Sequence, residues 1–137
     1  MNYQQLLFSF NGRIRRLHYW LGAIGAGFAY GIVAVICLML GMMLNHGEGP
    51  GAIGWLLYAV VFFFALWTSA ALQIKRWHDR DKSWVWIFIS LIPFIGAIWV
   101  LVEVGFLDGT QGPNRFGPSP KGIQAPATAA AAVAPAV

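Results

Sequence analysis

The chain has 137 residues, of which 58% are hydrophobic, 15% aromatic and 10% charged, with a formal net charge of +4. An ordinary globular domain carries about 25% charge, so the composition argues against a water-soluble fold. The single cysteine, Cys37, and the lack of any repeat argue against disulfide-stapled, collagen-like and coiled-coil chains. A small all-α integral membrane protein is left.

In chain order, residues 1–18 read as a cytoplasmic interfacial segment, short and aromatic at first and then basic at Arg13, Arg15 and Arg16. Residues 19–107 read as a three-span membrane domain. Three apolar stretches, 19–44, 52–74 and 84–102, contain no Asp, Glu, Lys, Arg or His. As helices they would reach roughly 39, 35 and 29 Å, against a hydrocarbon core of about 30 Å. The first is too long for the h-region of a signal peptide and lacks a small-x-small cleavage pattern, so it is read as a retained span. Ile36 argues against lipoprotein attachment at Cys37, which is expected as a small apolar core residue. Ala23, Gly27 and Gly31 form a small-residue stripe expected to pack against another helix of the same chain.

Pro93 and Gly96 interrupt the third stretch, and a kink there is the expectation. The alternative is a re-entrant hairpin, which in a three-helix protein would have no polar cavity to line. Residues 108–120, dense in Gly and Pro, read as a series of turns, and residues 121–137 as a disordered Ala/Pro tail.

Orientation follows from Lys and Arg. Three precede the first stretch, none lies between the first and second, four lie between the second and third, and two follow. Three simple spans with a cytoplasmic N-terminus put loop 45–51 outside and loop 75–83 inside, and leave Arg115 and Lys121 outside. Tyr19, Trp20, Trp55, Tyr58, Trp77, Trp84 and Trp86 fall near the boundaries, where aromatic rings favour headgroup depth. Trp67 and Trp99 fall deeper and read as packing or lipid-facing residues.

Polar residues cluster at 8–20, 75–84 and 109–120. At these residues the chain resembles the bacterial inner-membrane proteins called domain of unknown function 805. The resemblance rests on Gly12, Arg13 and Arg16 before Tyr19-Trp20, on Arg76, His78 and Asp79 before the Ile92-Pro93-Phe94-Ile95-Gly96 core, and on Asn114, Arg115, Phe116, Gly117 and Pro120. It covers about residues 8–120. Trp77 and Lys82-Ser83-Trp84 depart from the pattern at the turn. The resemblance implies a multi-pass inner-membrane fold and assigns no reaction.

The 75–83 loop balances four cations against Asp79 and Asp81, and reads first as a solvated, topology-setting loop. A helical extension would pair Arg76 or Lys75 with Asp79. The sharper reading is an interfacial site for an anion such as a lipid phosphate. Its candidate residues are Arg13, Arg16, Arg76, His78 and Asp79, with Asn114 and Arg115 from the third cluster.

No HxxxH, HExxH or Cys/His spacing, nucleophile elbow, phosphate loop or GxGxxG occurs, so neither metal nor cofactor is expected. Glu103 reads as an interfacial residue rather than a proton relay. The expected function is a non-enzymatic membrane component that binds anionic headgroups or a protein partner. A small oligomeric transporter and an interfacial enzyme are the alternatives. Membrane lipids, a membrane-protein partner or a second copy are the expected partners. Nucleic acid is not, because topology already accounts for the basic residues.

Overall fold

A computed structural model describes residues 2–124, so most of the expected Ala/Pro tail lies outside the described residues. Among these residues the fold is entirely helical, apart from one isolated β-bridge between Asn114 and Gly117. The chain forms two compact units, one of Met1–Ser9 and Leu21–Ala71, the other of Phe10–Trp20 and the described residues from Leu72 onward.

Short helix α1 (Tyr3–Phe8) is capped by the Asn2 side chain, which accepts from the Gln4 N–H at 3.4 Å. Helices α2 (Arg16–Leu44) and α3 (Gly51–Asp79) have 29 residues each, roughly 43 Å at 1.5 Å per residue. Both exceed the hydrocarbon thickness. A core helix of a soluble protein would bury such a stretch, but the most apolar window of α2 has no buried residue and that of α3 has 17% buried. Ile24, Phe28, Met43, Leu56 and Phe63 are all exposed. Apolar surface on this scale needs an apolar solvent.

In the first unit, α2 and α3 meet where both lack a side chain. A Cβ on Gly41 would collide with the Pro50 carbonyl oxygen and the Gly54 backbone, so only glycine permits that approach. Farther along, Tyr30 Oη and Thr68 Oγ1 share a hydrogen bond of 2.9 Å, which satisfies two hydroxyls away from water. The stripe expected to pack within the chain does not do so at its glycines. A Cβ at Gly27 or Gly31 would meet nothing within 4 Å, and contact is made instead at Gly41 and Gly54.

The second unit departs most from expectation. The third apolar stretch is not one kinked helix. It consists of a 3₁₀-helix (Trp84–Leu91), a break, α4 (Ile95–Val100) and a π-helical continuation (Leu101–Phe106). At the break Phe94 takes φ 61°, in the left-handed region. A Cβ on Gly96 would collide with the Ile89 carbonyl oxygen, so α4 folds back along the 3₁₀ arm. Three of the turn's backbone N–H groups are paired within it: Ile92 donates to Ile89, Ile95 to Pro93 and Gly96 to Ile92, at 3.1, 2.7 and 2.9 Å. Pro93 has no N–H to satisfy. This self-pairing lowers the number of backbone groups that a polar cavity would have to serve.

Helix α3 runs past the expected boundary at Ile74 to Asp79 and ends in a Schellman turn. Lys82 N donates to Trp77 O at 2.8 Å and Asp81 N to His78 O at 3.0 Å, with Asp81 at φ 57° where glycine is usual. The solvated loop expected at 75–83 is therefore corrected, because Lys75, Arg76, His78 and Asp79 are all buried. Trp77, expected at headgroup depth, is fully buried against Val100 and Val104, with Tyr19 and Ile89 packed on them.

Candidate functional site

The three polar clusters come together in the second unit, around the C-terminal turn of α3. Asp79 is their centre. One carboxylate oxygen accepts from Arg13 Nε at 3.0 Å and the other from Arg76 Nη1 at 2.5 Å. Arg13 is 4% exposed, Arg76 0% and Asp79 4%, so two guanidiniums share one buried carboxylate. Stranding a charge in such a place is costly, and the backbone carbonyls around the site supply the remaining partners.

Arg13 has five N–H groups and five acceptors. Besides Asp79 these are Gly112 O (2.8 Å), Gly117 O (3.2 Å), Thr110 O (2.8 Å) and Thr110 Oγ1 (3.1 Å). Two of those carbonyls belong to glycines at φ 77° and 131°, backbone shapes that L side chains rarely adopt. The Gly/Pro density of 108–120 thus shapes a cradle of carbonyls around one guanidinium.

Arg76 serves the π-helical end of the hairpin. A helix leaves its last four carbonyls without internal partners, and here four successive ones are met by side chains. Arg76 Nε donates to Val104 O at 2.8 Å, Trp20 Nε1 to Gly105 O at 3.1 Å, Arg16 Nη1 to Phe106 O at 2.8 Å and Arg76 Nη2 to Leu107 O at 2.8 Å. Arg16 and Trp20 lie four apart on α2 and so present to one side. Arg76 Nη1 also reaches Ile14 O at 3.3 Å.

The third cluster caps α3 in turn. Thr110 donates to Asp79 O through both its N–H (2.8 Å) and its hydroxyl (3.1 Å), and Asn114 Nδ2 donates to His78 O at 2.8 Å. A Cβ on Gly109 would overlap the Asp79 carboxylate. The His78 ring stacks on Phe116, with centroids 3.9 Å apart and planes 7° apart, and its Nδ1 lies 3.3 Å from Gly12 O.

Of the candidate binding residues, Arg13, Arg76, His78, Asp79 and Asn114 are thus bound up inside this knot. Arg16 and Arg115 are not enclosed, with side chains 44% and 60% exposed in ion pairs with Asp108 and Asp81. Arg15 donates to Pro120 O, and Lys121 pairs with Asp108 at 2.7 Å. The Lys121 ammonium beside Asp108 holds that carboxyl below its ordinary 3.8. Farther along, Glu103 pairs with Arg80 at 2.8 Å and Lys82 at 3.1 Å, and Lys82 Nζ lies 4.5 Å from the Trp86 ring centroid.

Sequence reasoning missed the most numerous partners. Thr110, Gly112, Gly117, Val104 and Leu107 contribute backbone carbonyls, which have no side-chain signature. The turn-forming composition of 108–120 was the one available sign. Trp20, expected in the headgroup belt, is a capping donor.

Long lipid-facing helices and a polar knot of capping arginines define a helical membrane protein whose basic residues are partly structural. The model of the family described as Protein of unknown function (DUF805) matches residues 7–118, and the chain belongs to that family. It is 38% identical over 113 residues to Inner membrane protein YhaH of Escherichia coli (strain K12), covering 82% of this chain and 87% of that one. It is 36% identical over 113 residues to Inner membrane protein YhaI of the same strain, covering 82% and 86%. Uncharacterized protein YiiR of that strain is 29% identical over 141 residues, covering 85% and 89%. No solved structure matches the chain.

Proposed function

We propose that this chain is a non-enzymatic inner-membrane component that crosses the bilayer twice, through α2 and α3, and dips into it once more through the 84–106 hairpin. Its cytoplasmic rim gathers anionic lipid headgroups. The observation that carries the reading is the placement of charge: all nine Lys and Arg residues belong to the second unit. With residues 10–18, the 75–83 turn and residues 107–124 cytoplasmic, every one falls on the side that the positive-inside rule favours. Loop 45–50 has none. Three simple spans would leave two outside.

The hairpin arms fit this arrangement. Eight 3₁₀ residues rise about 16 Å, and the twelve residues of α4 and its continuation about 18 Å, so each arm reaches about half the hydrocarbon thickness. On this reading residues 10–18 and 108–120 are one cytoplasmic cap rather than two separate segments.

Lipid recognition falls to the outer cations, since the donors of Arg13 are occupied. Arg15, Arg16, Arg115 and Lys121 outnumber Asp81 and Asp108 by two, and each cation near the surface is worth about 1 kcal/mol toward anionic lipid. The test uses nanodiscs of phosphatidylglycerol and phosphatidylcholine carrying spin-labelled lipids. The protein enriches immobilised phosphatidylglycerol, and both added salt and the double variant Arg115→Ala, Lys121→Ala reduce the enrichment. Equal immobilisation of the two lipids by the unaltered protein would refute the reading.

A further inference from the structure

A second feature of the hairpin lies apart from the arginine knot. Ile95, Ile98, Trp99, Val102 and Glu103 line a groove of about 400 Å³ along α4 and its π-helical continuation. These positions are three, four, seven and eight apart, one face of a helix. Everything in the groove is apolar until its last residue. Glu103 ends it, with one oxygen 2.8 Å from Arg80 Nε and the other 3.1 Å from Lys82 Nζ. The hollow begins near the Pro93 turn and ends among charges.

That gradient matches a phospholipid standing in one leaflet, chain toward the tip and phosphate at the surface. The sign of the charge selects the headgroup. Arg80, Lys82 and Glu103 sum to one positive charge, complementary to a lipid with one net negative charge. The ammonium of a zwitterionic headgroup would meet two cations. We propose that this groove is a binding site for a single anionic glycerophospholipid, one acyl chain lying along Ile95, Ile98 and Val102 and the phosphate taken by Lys82 and Arg80. Glu103 holds the two cations at the mouth and weakens the grip, so that the lipid can exchange. The proposal rests on the membrane-component reading above but uses different residues from the rim.

The experiment is native mass spectrometry of the full chain released from detergent containing equal phosphatidylglycerol and phosphatidylcholine. The unaltered protein carries one phosphatidylglycerol in preference to phosphatidylcholine. Val102→Trp fills the groove and abolishes that preference. Glu103→Gln raises the triad to two positive charges and tightens retention by about fivefold, a gain that misfolding cannot imitate. Arg115→Ala with Lys121→Ala, at residues that touch neither the groove nor the hairpin arm, leaves the single bound lipid in place. Equal retention of the two lipids, an unaffected Val102→Trp or a weakened Glu103→Gln would each overturn the proposal. Loss of the lipid from the rim variant alone would also overturn it, while leaving the headgroup reading of the rim intact.

Discussion

Arg13 is the residue around which the polar chemistry is arranged, and its demands are geometric as well as electrostatic. Five acceptors in fixed directions suit a planar guanidinium. Lysine has three donors, so Arg13→Lys keeps the charge but leaves two acceptors unpaired, at about 1–3 kcal/mol each. Thermal unfolding in detergent should show that loss in full, whereas a purely electrostatic role would leave Arg13→Lys near the unaltered protein. Removing the shared carboxylate is worse, because two buried guanidiniums lose their counter-ion. Asp79→Ala is expected to cost about 3–5 kcal/mol and to lower accumulation in the membrane sharply. Asp108 behaves differently because it lies at the surface. Its carboxyl titrates below 3.8, mainly through the Lys121 hydrogen bond. Its pairs with Lys121 and Arg16 are therefore intact at neutral pH and are lost as pH falls through that lowered value. A carboxyl NMR titration should find it ionised at pH 4, and Lys121→Ala should move it upward.

Among the elements, the glycines separate close approach from open surface. A methyl group at Gly96 meets the Ile89 carbonyl, while one at Gly27 meets nothing. Gly96→Ala is expected to destabilise, and Gly27→Ala to stabilise by roughly 0.5–1 kcal/mol from helix propensity. Both are read as shifts in unfolding midpoint. The long helices were legible in the sequence because 20 or more uninterrupted apolar residues permit little else. The break at Pro93 was legible too, since proline removes a donor wherever it sits. What the break does was not legible: a kink and a reversal share the same local sequence, and the choice is made by Arg16, Trp20 and Arg76 capping carbonyls up to 90 residues away in the chain. The candidate residues were found by type. Their burial was hidden because a cation satisfied by carbonyls reads, in sequence, like one exposed to water.

At the scale of the whole molecule, the two-span reading makes the side of the C-terminal segment decisive. A fluorescent reporter fused after Pro120 should light up, and a phosphatase reporter at the same place should stay inactive, with the reverse pattern for a reporter inserted at Gly47. An active phosphatase after Pro120 would restore three simple spans and separate Arg13 from Gly112. The Arg13 cradle also has a history in time. Its last carbonyl lies 104 residues beyond the arginine it receives, and a ribosome adding about 5–20 residues per second needs roughly 5–20 s to supply it. Asp79, 66 residues on, is made earlier, but until Gly117 follows, the guanidinium lacks its full set of acceptors. The nascent chain therefore carries at Arg13 a guanidinium that is less fully paired than in the finished protein, until the closing loop arrives.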